Sequence, residues 1–176
     1  VFGIFLYQDL KSKQRIKISE KFNNSIIQYD SINVEETKNN LIQIIFEKDK
    51  TYSPLALYYI IENDLIQSSQ EINKYFDVII NDLNLEKNIK LLNIYKKALF
   101  NSNFANEESM ENLIKPLISG ENYWKSHALY LMGEYYYAKK NKQKAKEFYN
   151  KIITLSDSNE NIKLEAQKRI QRDFSE

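Results

Sequence analysis

Cysteine is absent from the 176 residues, histidine occurs once, proline twice and glycine three times. Without cysteine there is no disulfide framework, no thiolate zinc site and no thiol nucleophile. A single imidazole excludes any metal site that needs two. Three glycines leave no phosphate-cradling loop, and neither G-x-G-x-x-G nor G-x-x-x-x-G-K-S/T occurs. No cofactor is expected. An excess of one charge is lacking too: 25 Lys+Arg face 24 Asp+Glu, and arginine is confined to Arg15, Arg169 and Arg172. Nucleic-acid binders usually carry a basic excess, so no nucleic-acid partner is expected. What remains is a chain sized for one domain, able to bury about 70% of its unfolded surface. It is poor in catalytic side chains, and an interaction module is the first expectation.

A hydrophobic run of membrane-spanning length is also missing. Val1-Phe2-Gly3-Ile4-Phe5-Leu6-Tyr7 is apolar, and Gln8-Asp9 turns polar. A bilayer crossing needs about 20 apolar residues. With Val rather than Met at position 1, the run is expected to be the end of a transmembrane helix or signal anchor. Residues 1–12 are then anchor end and spacer, and residues 13–176 the helical domain. The competing expectation is an apolar turn that docks on the fold. Lys11, Lys13, Arg15 and Lys17 follow, and positive charge normally stays cytoplasmic, which argues against an outside location.

Apolar residues recur at intervals of three and four from Gln14 to Phe174, which predicts helix almost throughout. Breaks divide the chain into nine predicted helices: about 14–29, 34–47, 53–66, 70–83, 87–100, 106–118, 122–140, 142–156 and 160–174. The first break is Asp30-Ser31-Ile32-Asn33. Ser53 is expected to cap the third helix with Pro54 at its first position. Ser119-Gly120 is expected to close the sixth, which contains Pro116. The ninth carries Ile162, Ala166, Ile170 and Phe174 on one stripe and polar residues elsewhere, as an end cap needs.

The helices come in similar pairs. Leu41-Ile42 with Ile45-Phe46, Tyr75-Phe76 with Ile79-Ile80, Leu113-Ile114 with Leu117-Ile118, and Phe148-Tyr149 with Ile152-Ile153 share one pattern, at spacings of 34, 38 and 35 residues. Ala56-Leu57-Tyr58 with Glu62 matches Ala128-Leu129-Tyr130 with Glu134 at a shift of 72. Such a period, with two helices per unit, marks a helical solenoid, in which stacking covers the faces that one pair leaves bare.

Residues 126–153 resemble a tetratricopeptide repeat. Leu129, Gly133, Tyr136, Ala145 and Tyr149 stand at that repeat's spacing of Trp/Leu, Gly, Tyr, Ala and Phe/Tyr. Gly133 is expected to admit the paired helix closely, Tyr136 to fill the gap between helices, and Ala145 to be the small residue facing it. Lys140 stands where a turn glycine is usual, and Asp157 where a proline is usual. The chain is also similar to the single-pass tetratricopeptide-like proteins of the bacterial inner membrane, including the ancillary subunit of the Sec translocon. Ser53-Pro54-Leu55-Ala56-Leu57-Tyr58 and Ala128-Leu129-Tyr130-Leu131-Met132-Gly133-Glu134 carry this likeness. It implies repeats on the periplasmic side, with translocon subunits, a membrane-anchored chaperone or secretory chains as partners. In tetratricopeptide repeats the first helices line the concave face. That implies a groove containing His127, Tyr130, Glu134 and Tyr137, joined by Tyr58 and Glu62 at the shift of 72. Tyr with an isolated charge suits an adaptable peptide or protein contact.

Other constellations carry less. Glu35-Glu36 and Glu107-Glu108 are adjacent on helices, so their side chains diverge by about 100°. Ser126, His127 and Asp157 lack the strained nucleophile turn of a hydrolase triad. The 13 Tyr, 9 Phe and single Trp mostly suit interhelix packing. Lys139-Lys140-Asn141-Lys142-Gln143-Lys144 is a solvated turn or a contact for an acidic partner or lipid headgroups. The expectation is an all-α solenoid of about four helix pairs plus a C-terminal capping helix. It has no enzymatic activity and serves as a membrane-anchored scaffold or chaperone-like adaptor. The alternative is a soluble cytoplasmic adaptor in which residues 1–7 only pack.

Overall fold

The computed structural model describes residues 2–29 and 33–174, with side chains from residue 9 onward. The anchor expectation for residues 1–7 and the Asp30-Ser31-Ile32 part of the first break therefore fall wholly or partly outside the described residues, as does the Ser175-Glu176 end. Among the described residues all regular structure is helical. The chain divides into two compact units, residues 1–85 and 86–176.

The first unit contains α1 (Phe2–Ile27), α2 (Val34–Phe46), α3 (Tyr52–Glu62) and α4 (Ser69–Asp77), the last running into a π turn at Val78–Asp82. α1 packs on α2 and α3, α2 on α3 and the π turn, and α3 on α4. Their shared core holds Ile18, Phe22, Leu41, Ile44, Ile45, Ala56, Leu57, Ile60, Ile72 and Phe76. The extra residue of the π turn rotates the helix face, so that adjacent Ile79 and Ile80 are both buried.

Boundaries at α1 and α3 differ from expectation. α1 starts at Phe2 and runs unbroken through the stretch expected as a spacer. Residues 8–17 contain no breaker, and Asp9 pairs with Lys13 one turn on at 2.7 Å. Ser53 does not cap α3. It is fully buried inside the helix and its hydroxyl donates to the Ile44 carbonyl at 2.9 Å. The capping acceptor is Asp49, whose Oδ1 takes the N–H groups of Thr51 and Tyr52, both at 2.8 Å. α3 stops at Glu62 rather than near Ile66, because Asp64 turns left-handed at φ 50°. There the Leu65 and Asp64 N–H groups bond back to Ile60 and Ile61.

The second unit contains α5 (Lys87–Asn101), α6 (Glu107–Ile118), α7 (Lys125–Ala138), α8 (Lys142–Thr154) and α9 (Glu160–Phe174). Each packs on the next, and α7 also meets α9. Asn106 and Asn141 cap α6 and α8 through N–H groups three residues on. Gly120, at φ 96°, follows the end of α6 as expected. α7 is shorter than predicted. Asn122 bonds to the Trp124 N–H and the Leu117 carbonyl ahead of it, and left-handed Lys140 closes it with bonds from Lys140 and Asn141 to Tyr137 and Tyr136.

Candidate partner-binding surface

α7 lies at the centre of the second unit because one of its stripes is small or apolar. Ala128, Leu129, Leu131, Met132, Gly133, Tyr135 and Tyr136 are buried. A Cβ added to Gly133 would stand 2.5 Å from Tyr149 Cε1, so the absent side chain is what admits the fully buried Tyr149 ring of α8. Tyr136 stacks on Phe148 at 5.5 Å and donates its hydroxyl to Glu111 at 2.7 Å. Ala145 is completely buried and Leu129 nearly so. Leu129, Gly133, Tyr136, Ala145 and Tyr149 are thus all buried.

The six expected groove residues divide three ways. Tyr58 and Glu62 belong to α3 of the first unit, half-buried and exposed respectively. Tyr130, Glu134 and Tyr137 share one face of α7, and that face receives α9. Glu134 is not an isolated charge. Its carboxylate accepts Arg169 Nε at 2.6 Å and Nη2 at 2.5 Å, and the Tyr149 hydroxyl at 2.6 Å. Arg169 also donates to Asp173 at 2.6 Å and lies 4.5 Å over the Tyr137 ring. Phe174 meets Tyr137 and Tyr149 edge-on, each at 5.9 Å. Burial alone would raise the Glu134 pKa, but Arg169 and the tyrosine hydroxyls hold it below the ordinary carboxylate value. Burial and the same carboxylate push the Tyr149 hydroxyl upward.

His127 belongs to a different group. Its ring lies 5.3 Å from both Tyr123 and Trp124 and 5.9 Å from Tyr95. Tyr95 of α5 stacks on Trp124 at 5.5 Å, and the Trp124 indole donates to the Asn88 carbonyl at 3.1 Å. Burial lowers the His127 pKa, and the Tyr123 backbone opposes this only in part. Tyr123 stays 61% exposed. A Trp bonded and stacked in place, beside an exposed Tyr, forms a rigid amphipathic platform of the kind that anchors protein contacts. Tyr95 went unassigned in the sequence because its part depends on α5 meeting the start of α7. Of this cluster, only His127 was assigned to a site from the sequence.

Ser126 is buried and accepts the Asn159 N–H at 3.3 Å, which ties it to the turn before α9. The basic run is partly engaged. Lys144 pairs with Glu107 and lies 4.9 Å over Tyr136, and Lys139 lies 5.6 Å over Tyr135. Among the described residues no group of three or more His, Asp or Glu side chains is placed to hold a metal ion. No described helix is long and apolar enough to cross a membrane.

No protein-family model, curated protein or solved structure matches the chain.

Proposed function

We propose that this protein is a non-enzymatic protein–protein interaction scaffold built from tetratricopeptide-like helix pairs. It is held at the bacterial inner membrane through a segment that ends within residues 1–7. Its partners are extended or helical protein segments near the Sec translocon: secretory chains, translocon subunits or a membrane-anchored chaperone. The tetratricopeptide likeness is supported by the Gly133–Tyr149 close approach and buried Ala145. The observation that carries the binding function is the Tyr95, Tyr123, Trp124 and His127 platform, with Tyr123 61% exposed. Rigid aromatic side chains provide contact area at low entropic cost, and an anchor raises local concentration. Binding is assigned to this end of α7, since α9 occupies the Tyr130, Glu134 and Tyr137 face.

The test is site-specific photo-crosslinking in cells from position 123, with Tyr95→Ala, which removes the ring stacked on Trp124, as the control. Capture of identified secretory chains or translocon subunits is expected, and equal capture from a probe at exposed Glu121, off the aromatic cluster, refutes the platform. A second reading, a cytoplasmic adaptor, is favoured by Lys11, Lys13, Arg15 and Lys17 directly after the apolar start.

A further inference from the structure

The imidazole of His127, the only one in the chain, backs the exposed ring of the aromatic cluster. It lies 5.3 Å from Tyr123 at an interplanar angle of 32°. The Tyr123 ring also meets Trp124 edge-on at 5.1 Å. Trp124 is fixed independently, by its stack on Tyr95 and its bond to the Asn88 carbonyl. His127 is therefore one of two rings that hold Tyr123 in place. Its Nδ1 atom is buried and has no hydrogen-bond partner. A neutral imidazole can leave that nitrogen bare, but an imidazolium carries a donor on both nitrogens, and a buried donor without an acceptor is costly. His127 also stands in the first turn of α7, where the helix dipole disfavours a cation. The titratable groups that face it are Tyr95 from α5 and Tyr123 from the turn before α7. Among the described residues no charged side chain acts on its proton, neither Glu86 and the lysines of α5, nor Glu121 and Lys125 on either side of the Tyr123-Trp124 pair. Aromatic faces attract a cation, which works in the other direction. Burial prevails, and the ring holds a proton less readily than a free imidazole.

We propose that His127 makes the platform acid-sensitive: the neutral ring packs behind Tyr123 and holds it as a rigid anchor, whereas the protonated ring turns out to solvent and releases Tyr123. This concerns the regulation of the proposed binding surface and rests on that reading. The ring is half-buried, so it can leave without unfolding α7, and Trp124 keeps both of its own restraints. Turned out, His127 has the ordinary value of 6.5, and inside the cluster its value is lower. The turned-out form thus takes up protons more readily. The packed form is complete well above 6.5, and acidification below 6.5 shifts the balance outward. A partner anchored on Tyr123 must then order a mobile side chain, which weakens its binding roughly 2- to 10-fold.

A single His and a single Trp make the test direct. The His127 ring protons of the 176-residue chain are followed by NMR, and the aromatic cluster by near-ultraviolet circular dichroism, from about pH 8 to pH 5. Ordinary carboxylates titrate below this range. The ring is expected to titrate with a midpoint below 6.5, and the near-ultraviolet signal to fall over the same range while the helical signal stays constant. His127→Phe, which keeps a ring but cannot take up a proton, is expected to hold the near-ultraviolet signal flat. A midpoint at or above 6.5 would show that the surrounding rings retain the cation, and overturns the inference. A near-ultraviolet signal that survives protonation overturns it too, and so does a fall of the same size in His127→Phe. The first two outcomes are read on the unsubstituted chain and do not depend on how the variant folds. None of these failures touches partner capture from position 123 at neutral pH, so the two readings fail separately.

Discussion

Replacing Gly133 by Ala adds one methyl group at the tightest point of the α7–α8 hairpin. The new Cβ would lie 2.5 Å from Tyr149 Cε1 and 2.9 Å from Cδ1 and Cζ. Comfortable carbon contacts need about 3.5–4.0 Å, so ring or helix must move by about 1 Å. The ring has little freedom. It is fully buried, its hydroxyl is held by Glu134 at 2.6 Å, and Tyr130 and Phe174 lie 5.7 and 5.9 Å away. Overpacking a site of this kind costs about 1–3 kcal/mol, and the upper end applies here. Ala is a better helix former than Gly by about 1 kcal/mol, which offsets part of it. A net loss of about 2 kcal/mol remains, or a fall in Tm of roughly 4–8 °C for a chain of this size. Calorimetry of Gly133→Ala, Tyr149→Leu and the double variant would measure it. In the double variant the added methyl should cost much less, because the ring it strikes is gone. An unchanged or raised Tm in the single variant would mean that helix propensity governs this position and close approach does not.

Asp49→Ala should cost about 1 kcal/mol as the loss of the acceptor before α3, and Ser53→Ala a similar amount through its bond to Ile44, both read by denaturant melts. Lys140→Gly should stabilise by roughly 0.5–1 kcal/mol, because Lys140 is exposed and held at φ 61° in the turn after α7. Arg169→Ala should cost about 2 kcal/mol. Its side chain is 14% exposed and deserts Glu134, but Glu134 is 38% exposed and can rehydrate. Hydrogen exchange should show α9 losing protection before α8. Glu134 titrates below its ordinary 4.5 when folded, so its contribution is complete above that value and disappears as pH falls through the folded pKa. An acid-melt series on Glu134→Gln should show a shallower acid limb than the parent.

Residues that encode steric complementarity at fixed spacing were readable in advance. Gly133, Ala145 and Tyr149 are of this kind, since each size restricts what the facing helix places opposite. The alignment of Tyr130, Glu134 and Tyr137 on one helix face was equally readable from their spacing. Their engagement was not, because Arg169 reaches Glu134 across 35 residues of sequence and nothing local signals it. Tyr95 escaped for the same reason: its partner is Trp124, in the turn that leads into α7. Local surprises had local causes. Left-handed Asp64 ends α3 without the glycine that usually announces such a turn. Ser53 before Pro54 has the form of a cap, but burial turns its hydroxyl to Ile44 and leaves capping to Asp49.

The central claim is that the aromatic end of α7 binds protein partners while the face under α9 does not. Photo-crosslinking in intact cells, with probes placed in turn at Tyr123 and Tyr137, tests it most directly. The account predicts capture of secretory chains or translocon subunits from Tyr123, and from Tyr137 only internal crosslinks to α9. Capture of those partners from Tyr137, with none from Tyr123, would contradict it and return the binding face to the groove that α9 covers.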